Sequence, residues 1–338
     1  MAKQRILYFD ILNILAAFAV VFLHTNSMVH SFSDTMAWRQ ALIVEVFLYW
    51  AVPVFFMLSG ANLMSYRERY TTVEFFKKRF VRILIPFVLW TFIYAFIYKI
   101  NPLEIGIREF FNRCFNTQII TTFWFFIPML SIYLAMPIVS LLKDNKKILW
   151  YMVALSFVLS ALMPQVFRYL GLTWNHSLKD LTTGGFLIYT ILGYLLAKTD
   201  FSLRKRTIIY VIGILAALLR YFSTLFLSVR DDALNNMFFD YAQYHAVLLA
   251  TAVFVFFKNS RFISFMATKP RLITFLKNLS GLSFGVYLVH YIVIFVLQDY
   301  VNVNTYIWRL GMPLLIYAIS AAVIFILKKI PIIKFLVP

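Results

Sequence analysis

Ten apolar segments follow one another along the chain, joined by short polar connections. They run roughly over residues 6–28, 43–64, 81–99, 121–142, 148–166, 184–198, 207–227, 239–257, 281–299 and 307–327. A bilayer core of about 30 Å is crossed by about 20 apolar residues in a helix. With no water there to satisfy backbone groups, repeated segments of this kind must be helical. The expected fold class is therefore all-α: a polytopic membrane protein, a bundle of about ten transmembrane helices forming one domain over residues 1–338. The sixth segment, "GGFLIYTILGYLLA", is the shortest.

Composition closes off other classes. Hydrophobic residues make up 62% and charged residues 14% of the chain, against about 25% charged in ordinary soluble domains. The formal charge of +18 would suit a nucleic-acid binder, but the basic residues sit in the connections between apolar runs, and no nucleic acid is expected. With the N-terminus inside, the cytoplasmic connections receive 23 of the 32 Lys and Arg residues, leaving nine for the outer side. That asymmetry places both termini in the cytoplasm. The single cysteine, Cys114, excludes an internal disulfide framework and any Cys-rich metal site. No metal is expected. The first segment follows Lys3 and Arg5 but is long and lacks a small-residue cleavage site, so it reads as a retained helix.

Polar residues inside such segments are the informative ones, because each costs free energy unless it faces a partner or a cavity. In "YFDILNILAAFAVVFLH" the residues Asp10, Asn13, Ala17 and His24 fall within about 60° of one helix face. His24 lies about 21 Å along the axis from Asp10, in the outer half of the membrane, and its imidazole exchanges protons near neutral pH. A satisfied interfacial histidine fits the same pattern. Glu45, at the outer end of the second segment and at a similar depth, is a candidate partner for His24. Pro53 is expected to kink that segment, and Ser59-Gly60 near its inner end offers a small surface for helix packing or for a ligand.

At the start of the third segment, "FFKKRFVRILIP" carries Lys77, Lys78, Arg79 and Arg82. Arg79 and Arg82 are three residues apart, on one side of a helix, and two guanidinium forks suit phosphate. Anchoring to anionic lipid is the plainer reading of the same charges. In the ninth segment His290 and Tyr287 lie near mid-membrane; a core histidine without chemistry would look the same.

Six motifs in order resemble the acyltransferase 3 family, the membrane O-acetyltransferases of bacterial surface polysaccharides. They are Asp10-Ile11-Leu12-Asn13 leading to His24, Phe55 to Gly60 ("FFMLSG"), Arg79 and Arg82 before Pro86, Trp124-Phe125-Phe126, "GYLL" at Gly193, and Ser283 to His290 ("SFGVYLVH"). The resemblance spans nearly the whole chain and is to compact members with no fused extracytoplasmic domain. It departs at Asn13, where the family usually has arginine.

The resemblance implies transfer of an acyl group, most simply acetyl, from cytoplasmic acetyl-CoA to a hydroxyl of a cell-surface or lipid-linked glycan, in a bacterial cytoplasmic membrane. It implies His24 as the base, with His290 as a second catalytic candidate; Glu45 is a third by its similar depth alone. Arg79, Arg82 and Lys78 would hold the CoA phosphates. Ser59, Gly60, Asp10 and Asn13 would lie along the donor's path. Two other readings of a polytopic chain with interior polar residues stay open here: a transporter or flippase of a lipid-linked saccharide, and a non-catalytic scaffold in polysaccharide assembly. Oligomeric state is not legible.

Overall fold

The structure is a computed structural model and describes residues 5–178, 185–331, 336 and 337. Lys3, Lys179, Lys334 and much of the expected outer loop at 175–185 lie outside the described residues. Every regular element among the described residues is helical. In chain order these are α1 (Leu7–Thr25), α2 (Met36–Leu48), α3 (Ala51–Leu63), α4 (Thr72–Arg79), α5 (Ile85–Ile97), α6 (Pro102–Ile105) and α7 (Ile107–Phe115). There follow α8 (Phe126–Val139), α9 (Lys146–Ser156), α10 (Met163–Tyr169), α11 (Leu187–Lys198) and α12 (Leu203–Asp231). The last are α13 (Tyr244–Lys258), α14 (Arg261–Met266), α15 (Pro270–Ser280), α16 (Ser283–Leu297) and α17 (Met312–Leu327).

Eight helical stretches among the described residues are long and apolar enough to cross a membrane. A ninth arises if α15 and α16, bent by 55° at Gly281-Leu282, count as one broken span. The sixth segment of the sequence is α11, a helix of only 12 residues. Among the described residues all ten apolar segments are thus helical, but the sixth is short and the ninth is bent. The second span is also interrupted. α2 ends at Leu48 and α3 begins at Ala51, just ahead of Pro53, whose ring cannot follow a helical carbonyl four residues earlier. The expected kink is a break at Tyr49-Trp50.

The chain forms two compact units. One comprises residues 1–62 and 145–322, the other residues 63–144 and 323–338. In the first, α12 shows how a lipid-facing helix is written. Ile208, Ile212, Leu215, Leu219, Phe222 and Phe226 are exposed, whereas Gly213, Ala216, Ala217, Arg220, Thr224 and Ser228 are buried. The interior stripe is small and polar and the outer face is large and apolar, the reverse of a soluble helix. α3 and α11 meet through reciprocal glycines. A Cβ on Gly60 would sit 1.8 Å from the Thr190 carbonyl oxygen, and one on Gly193 would sit 2.1 Å from that of Met57. The Cα face of Gly60 is therefore filled by backbone of the neighbouring helix, and its smallness serves packing.

α1 runs alongside α16 in the same unit. Ile14, Ala17 and Val21 join Val286 and Ile294 of α16 and Trp308, Met312 and Ile316 in one buried cluster. Polar pairs bracket that apolar patch. Asn13 Nδ2 donates to the Ser280 carbonyl at 2.9 Å and approaches the Ser280 hydroxyl at 3.2 Å. Eleven residues further along α1, His24 meets His290.

In the second unit α4 starts with a capping box. Thr71 Oγ1 accepts from the Glu74 amide and Glu74 Oε2 accepts from the Thr71 amide. Such a cap is worth about 1 kcal/mol. It fixes where the helix begins and so which side chains its last turn presents. α4 then passes through a wide turn at Phe80–Leu84 into α5. The Trp90 indole donates to the Leu336 carbonyl at 2.9 Å, tying the end of the chain to α5.

Candidate active site

In the first unit the structure brings His24 and His290 together. His24 Nδ1 lies 2.7 Å from His290 Nε2, with the rings nearly parallel at 12°. His290 is fully buried, and its Nδ1 faces two backbone carbonyls, Tyr287 at 2.7 Å and Val286 at 3.2 Å. Carbonyl oxygens only accept, so this nitrogen carries the proton. In the uncharged pair His290 Nε2 is then the acceptor, and His24 Nδ1 must donate to it. His24 is left with a bare lone pair on Nε2.

A chain of hydrogen bonds thus sets the tautomer of a half-buried imidazole from the backbone of another helix. Once His24 takes a proton at Nε2, the bond from its Nδ1 to His290 remains and supports the imidazolium. Tyr291 stands edge-on to His24 with ring centres 6.2 Å apart, and the Trp308 indole donates to the Thr25 carbonyl at 3.1 Å. Both restrict the end of α1.

Glu45 is not the partner of His24. It is buried, and its Oε1 lies 3.8 Å from Nη2 of Arg220. The imidazole pair satisfies itself, and the carboxylate turns toward the one buried cation on α12. Arg220, counted in the sequence only among the outer charges, was missed as a site residue. The stripe Gly213, Ala216, Ala217, Arg220, Thr224, Ser228 is the signal that would have placed it inside. Arg309, counted the same way, is buried too and donates to the Ala37 carbonyl at 2.7 Å.

Two further candidates on α1 are engaged within the protein. Both carboxylate oxygens of Asp10 accept from Arg5, each at 2.6 Å. The Asn13 amide is held by Ser280 as described. Ser59 is half-buried next to the packed Gly60.

The second unit carries the basic residues. Lys77, Lys78, Arg79 and Arg82 line one groove of about 620 Å³, together with Glu74 and Val81. The carboxylate of Glu74 is committed to the helix cap, so four cations face the groove. Lys78 stacks its ammonium over the Tyr70 ring at 4.2 Å and Arg79 its guanidinium over Tyr133 at 6.0 Å. Nε of Arg79 is buried without a hydrogen-bond partner. The groove has the charge and donors to bind a polyphosphate. Among the described residues no group of three or more His, Cys, Asp or Glu side chains is placed to hold a metal.

No curated protein and no solved structure matches the chain. A family model does: the acyltransferase 3 model, described as an acyltransferase domain, matches residues 6–328. That match takes in α1 with His24, Arg79 and Arg82 ahead of α5 and the α16 histidine, and it makes the chain a member of the acyltransferase 3 family.

Proposed function

We propose that this membrane acyltransferase moves an acetyl group from acetyl-CoA to a hydroxyl of a cell-surface or lipid-linked glycan. The observation that supports the reading is the contact of His24 Nδ1 with His290 Nε2 at 2.7 Å on a half-buried ring, which leaves the lone pair of His24 Nε2 uncommitted. In the reaction His24 Nε2 takes the proton of the acceptor hydroxyl while that oxygen attacks the thioester carbonyl. The carbon–sulfur bond breaks, and the CoA thiolate leaves with the proton returned by His24. A positioned base of this kind contributes typically 10²–10⁴ in rate. Arg79, Arg82, Lys77 and Lys78 hold the phosphates of CoA. His290 sets the tautomer of His24.

The ten helical segments are read as ten crossings of a bacterial cytoplasmic membrane, with both termini inside. The excess of Lys and Arg on the connections assigned to the cytoplasm supports that orientation. The test is to incubate the purified chain in nanodiscs with [¹⁴C]acetyl-CoA and membrane glycan extracts. Label enters the glycan with the wild type and not with His24→Ala. Transfer that survives His24→Ala would overturn the assignment. Saccharide translocation without acetyl-CoA consumption would replace the reaction with a transport function.

A further inference from the structure

Arg220, in the first unit, stands buried beside an acid with its donors unused. Its side chain is 1% exposed. Nε, Nη1 and Nη2 all lack hydrogen-bond partners. The faces of the guanidinium are covered, by Tyr49 at 3.7 Å and by Phe239 at 5.1 Å. The edge carries all the N–H donors of the group. Glu45 Oε1 lies 3.8 Å from Nη2, too long for a direct hydrogen bond and suited to one oxygen in between.

Several polar groups of the surrounding elements are engaged elsewhere. Tyr49 Oη donates to the Phe239 carbonyl at 2.6 Å. His245 Nε2 is 2.9 Å from the Gln243 amide oxygen, and Gln243 donates onward to Met237. A buried guanidinium without acceptors is costly, so its geometry asks for a partner.

The chemistry of that partner is constrained. An oxygen between Nη2 and Oε1 must accept from a cation and donate to a carboxylate. A hydroxyl does both; a carboxylate or phosphate ligand would meet Glu45 with like charge. Because Arg220 and Glu45 cancel each other, the ligand is neutral. Two adjacent ring hydroxyls match the two-pronged edge of the guanidinium. The location is also informative. Asn26, two residues beyond His24, donates to the Ala41 carbonyl at 2.8 Å, one helical turn before Glu45. The His30 ring lies 6.3 Å from Phe239. Arg220 and His24 therefore belong to the same end of this unit. Phe239 and Tyr241, which stacks on Tyr49 at 3.9 Å, belong to the connection between α12 and α13, so the cover is a loop.

We infer that Arg220 and Glu45 form a grip for neighbouring hydroxyls of a neutral saccharide, the acceptor side of the proposed transfer. The hydroxyl oxygen accepts from Arg220 Nη2 and its proton is donated to Glu45 Oε1. The inference rests on the transferase reading only for the identity of the saccharide as acceptor; the binding is testable without it.

The experiment is equilibrium binding of tritiated tetrasaccharides to the full chain in nanodiscs, with no acyl-CoA present. The probes are neutral glucose, galactose and N-acetylglucosamine oligomers and, as the charged counterpart, a uronate-containing tetrasaccharide. At least one neutral probe is expected to bind, with the uronate probe weaker. Glu45→Gln and Arg220→Lys are expected to weaken that binding about tenfold or more, while Lys205→Ala, at the exposed start of α12, leaves it unchanged. Thermal melts of both variants accompany the titrations. Variants that melt like the wild type and bind the neutral probe equally well would overturn the inference, leaving a water-bridged ion pair that fastens α2 to α12. So would binding by none of the neutral probes, or preference for the uronate. Should Glu45→Gln or Arg220→Lys prevent folding, Phe239→Tyr and Tyr49→Phe carry the same test, since each alters a covering ring and leaves the charges in place. A chain that binds saccharide through Arg220 but never consumes acetyl-CoA keeps this inference and loses the transferase reading.

Discussion

The imidazole pair of the first unit and the basic groove of the second are built on opposite principles. His24 and His290 are fixed by short bonds that end on backbone carbonyls, so one proton position follows from another and the arrangement admits little variation. Lys77, Lys78, Arg79 and Arg82 are exposed or half-buried on a short helix and the turn after it. They act through summed charge, and each is partly replaceable by its neighbours. A group that makes and breaks bonds needs the first kind of construction. A clamp for a flexible polyanion works with the second.

That contrast is sharpest at His24. His24→Ala should lower kcat by about 10²–10⁴ with the KM for acetyl-CoA unchanged, measured by thiol release. A loss of less than tenfold would break the comparison, since the most tightly placed group would then not be the reacting one. His290→Phe keeps the ring volume but removes the acceptor that selects the His24 tautomer. A fall in kcat of about 10–100-fold is expected, again without a KM change. An equal fall in the KM-limited rate alone would make His290 a packing residue.

Gly193→Ala tests whether the precision of the first unit depends on its packing. The added methyl meets Met57 backbone and should cost about 1–3 kcal/mol of stability, read as a lower melting temperature in detergent, with the donor KM of the surviving protein unchanged. Arg82→Ala should raise the KM for acetyl-CoA about fivefold at low salt and less at high salt, leaving kcat alone. A salt-independent effect, or one on kcat, would mean the groove is not the electrostatic clamp described. Asn13→Arg is the mildest change. Arginine keeps donors for the Ser280 carbonyl and gains Asp10 one turn away, so activity within about twofold of wild type is expected, by the same assay.

The helical class and the position of every apolar segment were legible in the sequence, because hydrophobic runs of bilayer length report on the solvent that surrounds them. The meeting of His24 and His290 was named only as a possibility. Sequence places each residue on a face of its own helix, and nothing local records which faces meet across 266 positions. The same limit misdirected Glu45: the rotation of α2 that turns it to Arg220 is set by packing. Ser59-Gly60 was ambiguous between ligand and helix contact, since both exploit a missing side chain; only the Thr190 backbone seated on Gly60 decides that glycine. Arg79 and Arg82 were read correctly as neighbours because their relation is local to one turn.

The reciprocal glycines have a consequence for α11. Nine consecutive residues of this helix, Ile188 to Leu196, are buried, so the medium it is dissolved in is protein and not acyl chains. Hydrophobic mismatch acts on a helix through its lipid contact, and α11 has almost none along that stretch. A thicker or thinner host membrane would strain the outward face of α12 while leaving α11 indifferent. Its twelve residues are sized to the neighbours that enclose it.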